Sequence, residues 1–171
     1  MLIIFLHSLL MAQKTYIFNY ILFFLLTFST HSISSKTIIG TANVIDGDTI
    51  HIGKNKIRLH GIDAPEIEQT CNIEEQVWNC GLVSFKTLQK LTTKKEVTCK
   101  VNGIDQYKRY IAECYLNNLN INQYMVKQGW AIAYRYYSKE FVEDEEIAQK
   151  NKSGIWQGTF IEPYLFRKNH K

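Results

Sequence analysis

Turn signals cut residues 37–62 into short β-branched runs, and this punctuation restricts the fold more than any other feature of the chain. Residues 37–45 are rich in Thr, Ile and Val, side chains suited to a pleated, half-buried surface. Asp46-Gly47 is a tight-turn dipeptide. Residues 49–52 resume the apolar run, Gly53-Lys54-Asn55 turns again, and residues 56–62 make a third run that Pro65 ends. Residues 71–80 read as a charged loop. Leu82, Phe85, Leu88 and Leu91 recur at helical spacing, which predicts a helix over 81–92. Residues 96–101 and 109–116 read as two strands around an Asp105-Gln106-Tyr107-Lys108 turn. A helix follows over 119–128, with Asn118 or Asn120 as its N-cap and Gly129 as its stop. A charged helix over 139–152 ends at Gly154, its Glu143–Glu146 acids reading as a solvated end. The order is three strands, a helix, two strands, then helices. It predicts an α+β chain built as a five-stranded OB-fold barrel with three helices packed on it.

The chain of 171 residues suits one domain preceded by a leader. Residues 1–35 contain Lys14 and no acid, residues 17–28 are almost wholly apolar, and Ser32-Ile33-Ser34 offers a small-x-small cleavage pattern. This is the layout of a signal peptide, with an uncleaved N-terminal anchor as the rival reading. The apolar core is shorter than the roughly 18–20 residues of a membrane span, and Met11 is an alternative start. The domain is then 36–171, with 156–171 as a C-terminal extension. The expected location is secreted or periplasmic, or membrane-anchored if the leader stays. The net charge of +4 is compatible with a polyanionic partner without requiring one.

Four cysteines, Cys71, Cys80, Cys99 and Cys114, lie beyond the leader, and an even number in an exported domain predicts disulfides. No C-x-x-C pair is present, so the spacing of a zinc ribbon is missing. A hairpin closed by residues 105–108 sets Cys99 directly opposite Cys114, within disulfide reach. Cys71 then pairs with Cys80 by elimination.

Two of the strand ends deliver acids. One carries Asp46-Gly47-Asp48; the other carries Asp63-Ala64-Pro65-Glu66, with Arg58 on the run before it. Carboxylates hold a hard cation, a further carboxylate takes a proton from water, and Arg clamps phosphate oxygens in two-pronged fashion. Each motif alone is bland: an Asp-Gly-Asp is ordinarily a hairpin turn, and a lone Arg on a strand is ordinarily a surface residue. Their joint spacing points to metal-assisted attack on a phosphodiester.

Taken in order, Asp46-Gly47-Asp48-Thr49, Arg58 with Asp63-Ala64-Pro65-Glu66, Asp105 to Arg109, Val126-Lys127-Gln128-Gly129-Trp130-Ala131 and Gly154-Ile155-Trp156 resemble the thermonuclease (staphylococcal nuclease-like) family. The cysteines and the tail look more like its exported Gram-negative members. The resemblance implies a calcium-dependent endonuclease that hydrolyses DNA and RNA, prefers single strands and leaves 3′-phosphates. It implies Ca2+ as cofactor and nucleic acid as substrate; no stable protein partner is implied, and a monomer is the default expectation. Asp48, Asp63 and the backbone carbonyl of Ala64 match the metal ligands, Glu66 the general base, and Arg58 and Arg109 the phosphate-binding arginines. Tyr107, Tyr134 and Tyr136 fall near the substrate-stacking positions. Lys108 stands where the family usually has a glycine, which predicts a shifted turn before Arg109. The rival functions are a non-catalytic OB-fold module that binds single-stranded nucleic acid, and a disulfide-stapled interaction domain.

Overall fold

A computed structural model describes residues 36–170, so the leader expected over 1–35 lies outside the described residues. Strands β1 (Thr37–Val44), β2 (Thr49–Ile52) and β3 (Asn55–Leu59) form an antiparallel meander. β4 (Ile62–Asp63) and the hairpin β5 (Cys71–Ile73) and β6 (Gln76–Trp78) follow, then helix α1 (Cys80–Thr92). Next come β7 (Glu96–Ile104), β8 (Tyr110–Leu116), β9 (Leu119–Asn120), α2 (Ile121–Lys127) and β10 (Ile132–Ala133). Helix α3 (Val142–Lys150), a 3-10 turn over Gly154–Gln157 and α4 (Pro163–Asn169) complete the chain.

The main sheet runs β3-β2-β1-β7-β8-β9, and β3 also pairs with β8 in parallel, which closes five strands into a barrel. Closure removes the open edges that would otherwise template aggregation. Ile50, Ile57, Leu59, Val97 and Ala112 alternate inward along their strands, and Leu88, Ile121, Met125 and Val126 pack onto the same core from the helices. A smaller cluster gathers Cys71, Cys80, Ile132 and Ile155 with Trp78, Trp156 and Phe160.

The expected α+β barrel is therefore present, with four helices among the described residues rather than three. The additional one, α4, forms in the tail with Pro163 at its first turn, where a missing N–H costs nothing. Residues 71–80 are a disulfide-closed hairpin rather than a loop. Helix α3 begins later than its charge pattern predicts, and its Asp144 and Glu145 are buried rather than solvated. Glu145 accepts the Ala133 N–H at 2.9 Å and pairs with Arg135 at 2.5 Å, so it ties α3 to β10.

Candidate active site

The β1–β2 connection is a compact turn. Asp46 Oδ1 accepts the Asp48 N–H at 2.9 Å, and the Ile45 N–H donates to Thr49 O at 2.9 Å. A Cβ on Gly47 would overlap Ser84 Oγ and Ala64 Cβ, so only glycine lets the turn sit this close to α1 and to the segment after β4. The turn aims Asp48 inward, where it is buried. Its Oδ2 accepts the Ala64 N–H at 2.7 Å, and its Oδ1 accepts both the Thr49 hydroxyl at 3.2 Å and Arg58 Nη1.

Arg58 alternates with Ile57 and Leu59 on β3, so its side chain leaves the barrel core while theirs fill it. Its guanidinium spreads over two carboxylates, with Nη1 on Asp48 and Nη2 on Asp63 Oδ1 at 2.6 Å. Burial pushes the Arg58 pKa down, and the charges of Asp63 and Asp46 push back. Burial likewise raises the Asp46 carboxyl, against the pull of Arg58. Asp63 is fully buried on β4, held by that strand's pairing with β10. Glu66 follows in a turn that Gln69 fixes: the Gln69 N–H donates to Glu66 O at 2.8 Å, and the Glu66 N–H donates to Gln69 Oε1 at 3.3 Å.

Arg109 leaves the β7–β8 connection with Nε on Asp105 Oδ2 at 2.7 Å. Burial pushes the Asp105 carboxyl up, but the Arg109 N–H and side chain outweigh it and hold the pKa below the usual value. Lys108 adopts the left-handed conformation, φ 61°, that a glycine takes without cost. The shift predicted from Lys108 is thus absorbed in its own backbone, and Arg109 stays braced by Asp105.

Arg58, Arg109, Tyr107, Tyr134 and Tyr137 line one cavity of about 910 Å³, within the range of small-ligand sites. Burial, and then the Asp63 charge, push the Tyr134 phenol up. Tyr136 is 82% exposed and is not part of the wall; Tyr137 takes that place, 5.1 Å from Tyr134 between ring centroids. The residue that sequence reasoning missed is Arg167 of α4. Its Nη1 donates to Glu66 Oε1 at 2.8 Å, and its Nη2 lies 2.9 Å from Asp63 Oδ1 and 3.0 Å from Oδ2. No local spacing could announce a contact made across 101 residues of chain.

The donor set fits a hard dication. Asp48 and Asp63 reach the same guanidinium, and the Asp48 carboxylate accepts the Ala64 N–H, so two carboxylates meet beside Ala64. No group of three or more His, Cys, Asp or Glu side chains is arranged to enclose a metal among the described residues. Two carboxylates and a carbonyl leave most of calcium's shell of 6–8 oxygens to water and substrate.

Residues 56–158 match the sequence profile described as "Staphylococcal nuclease homologue". The match takes in Arg58, Asp63, Glu66 and Arg109, and leaves Asp48 and Arg167 outside it. Among curated proteins, an "Uncharacterized endonuclease" of Haemophilus influenzae is 36% identical over 144 residues, covering 80% of this chain and 76% of the relative. The "Micrococcal nuclease" of Shigella flexneri is 32% identical over 146 residues, 75% of this chain and 79% of its own. The "Succinoglycan biosynthesis protein ExoI" of Rhizobium meliloti is 31% identical over 128 residues, 72% and 67%. With an OB-type barrel, paired carboxylates and the cavity-lining Arg58 and Arg109 in place, the chain belongs to the staphylococcal nuclease family.

Proposed function

We infer that this chain, a nuclease by family, is an exported, calcium-dependent endonuclease that hydrolyses DNA and RNA phosphodiesters, prefers unpaired strands and leaves 3′-phosphates. The observation that carries the reading is one ion-pair cluster, in which Arg58 joins Asp48 to Asp63 and Arg167 joins Asp63 to Glu66, with Arg58, Arg109 and Arg167 lining the same cavity. In this reading Glu66 takes the proton of the attacking water. Arg58 and Arg109 each present a guanidinium fork to the phosphate oxygens, where charge grows in the transition state. Tyr107, Tyr134 and Tyr137 offer faces on which unpaired bases stack. Asp48, Asp63 and the Ala64 carbonyl would hold the metal. Bound there, calcium would supply Lewis-acid polarisation of the phosphate.

Residues 1–35 are assigned as the leader and 36–171 as the nuclease domain. Support for export comes from the two disulfides, Cys71–Cys80 and Cys99–Cys114, which persist in oxidising compartments. The chain is read as a monomer acting on nucleic acid without a stable protein partner.

The test is cleavage of a fluorescent single-stranded oligonucleotide by the purified chain, with calcium and with chelator, run beside Glu66→Gln. Calcium-dependent turnover is expected, with a loss on the order of 10²–10⁴ in rate for the variant. Cleavage that survives chelation would contradict the metal's role. An undiminished Glu66→Gln enzyme would contradict the base. Tight binding with no cleavage would favour the non-catalytic OB module.

A further inference from the structure

Three guanidiniums line the cavity, and the third comes from outside the barrel. Arg167 sits on α4, and the route that brings α4 there is built from specific contacts. Hairpin β5–β6 is stapled by Cys71–Cys80. Its Asn72 exchanges backbone bonds with Thr159, 2.9 Å from the Asn72 N–H and 2.8 Å from the Thr159 N–H. A Cβ on Gly158 would overlap Asn72 O, so a glycine is required where the tail crosses the hairpin. Gln69, fully buried, donates its Nε2 to Ile161 O at 2.6 Å, and Pro163 is buried at the start of α4. The tail is thus fastened at two points to the segment that follows Glu66, and Arg167 is carried back over Glu66 and Asp63.

The bonds Arg167 makes there compete with the roles read for these acids. Its Nη1 occupies Glu66 Oε1, an acceptor that an attacking water would need, and its Nη2 lies within 3.0 Å of both oxygens of Asp63, which the metal would need. Both contacts compete with those roles, and Arg167 is part-exposed, its side chain 30% accessible. A phosphate entering the cavity would meet it there, because Arg167 shares the wall with Arg58, Arg109 and Tyr134. We propose that Arg167 is a substrate-phosphate-binding residue supplied by the C-terminal extension, and that its grip on Glu66 and Asp63 is the resting arrangement from which either substrate phosphate or the metal displaces it. This rests on the nuclease reading above. In the resting state Arg167 shields a buried carboxylate and competes with the dication. Once substrate enters, it moves to a phosphate oxygen and frees Glu66 to accept a proton.

Two equilibrium measurements on the purified chain test this, and neither needs turnover. The first is Ca2+ binding by isothermal titration calorimetry without nucleic acid. Arg167→Gln is expected to bind calcium about tenfold more tightly, because one positive charge and one competitor for Asp63 are gone. The second is binding of a labelled oligothymidylate in chelator, measured across a series of salt concentrations. Arg167→Gln is expected to bind more weakly, with a slope of log affinity against log salt shallower by about 0.7, the loss of one single-strand phosphate contact. Unchanged or weakened calcium affinity overturns the proposal, and so does an unchanged salt slope. If Arg167→Gln lowers the melting temperature, Arg167→Lys replaces it. Lysine keeps the charge and the phosphate contact but cannot span Glu66 and Asp63 with one planar fork, so calcium should still bind more tightly while the salt slope stays as in the parent. Absence of calcium-dependent cleavage by the parent chain would sink the nuclease reading; failure of either binding result in a calcium-dependent enzyme sinks only the role of Arg167.

Discussion

At the scale of single residues the site is a balance of buried charges. Asp48 and Asp63 would be costly to bury alone, and Arg58 makes their burial tolerable by offering one nitrogen to each. The pattern that revealed Arg58 was its place on a strand before Asp63; the sequence could not disclose that one guanidinium serves both carboxylates. Lys108 is a second residue whose position carries a physical consequence. A non-glycine residue at φ 61° pays a steric penalty of about 1 kcal/mol. Lys108→Gly is therefore expected to raise unfolding free energy by up to about 1 kcal/mol in urea melts, with cleavage unchanged because Asp105 continues to brace Arg109. A destabilised Lys108→Gly would mean that the lysine makes a compensating contact.

Elements explain how register survives an irregular hairpin. The β7–β8 connection closes with the Asp105 N–H donating to Arg109 O at 2.9 Å, one residue longer than a turn confined to 105–108. A bulge between Val101 and Gly103 absorbs the extra residue, and below it Cys99 faces Cys114. The expected pairing of the cysteines thus holds although the turn assumed for it does not. Helix α2 is tied to the barrel by Asn122, fully buried, which accepts the Cys114 N–H at 3.0 Å and donates to His60 O at 2.9 Å and Ala112 O at 3.1 Å. Its neighbour Asn120 caps the helix by accepting the Gln123 N–H. Asn122→Ala removes the side-chain partner of the Cys114 N–H and His60 O, while Ala112 O keeps the His60 N–H at 2.8 Å, and is expected to cost about 2–4 kcal/mol, read as a lower midpoint in denaturant. A shift below about 1 kcal/mol would show that water replaces the amide. Asn120 was legible as an N-cap because capping is local; the part played by Asn122 was not, since its partners come from β8 and from the residue after β3.

For the whole molecule, the two disulfides do different work. Cys99–Cys114 lies inside the barrel core, joining paired strands with Cα atoms 4.0 Å apart. Cys71–Cys80 holds the hairpin on which the C-terminal tail is laid. Replacing either pair by alanines is expected to lower stability by roughly 2–3 kcal/mol on the chain-entropy view. The distinguishing outcome is limited proteolysis. Loss of Cys71–Cys80 should expose the 156–171 tail to cleavage in an otherwise folded chain, whereas loss of Cys99–Cys114 should weaken the barrel without singling out the tail. Equal tail protection in both variants would mean that Gln69 and Pro163 suffice to hold α4.

The sequence by itself determined the barrel class, the helix stop at Gly129, and the acid and arginine motifs, because periodicity, turn chemistry and capping act between near neighbours along the chain; the third helix ends at Lys150, before the Gly154 expected to stop it. Tertiary structure alone decided that Glu145 is buried against β10 rather than solvated, that residues 71–80 form a stapled hairpin, and that Arg167 returns to lie on Glu66 and Asp63. Those outcomes depend on desolvation and charge pairing between segments far apart in sequence. Such energies exist only once barrel closure has brought the partners within a few ångströms.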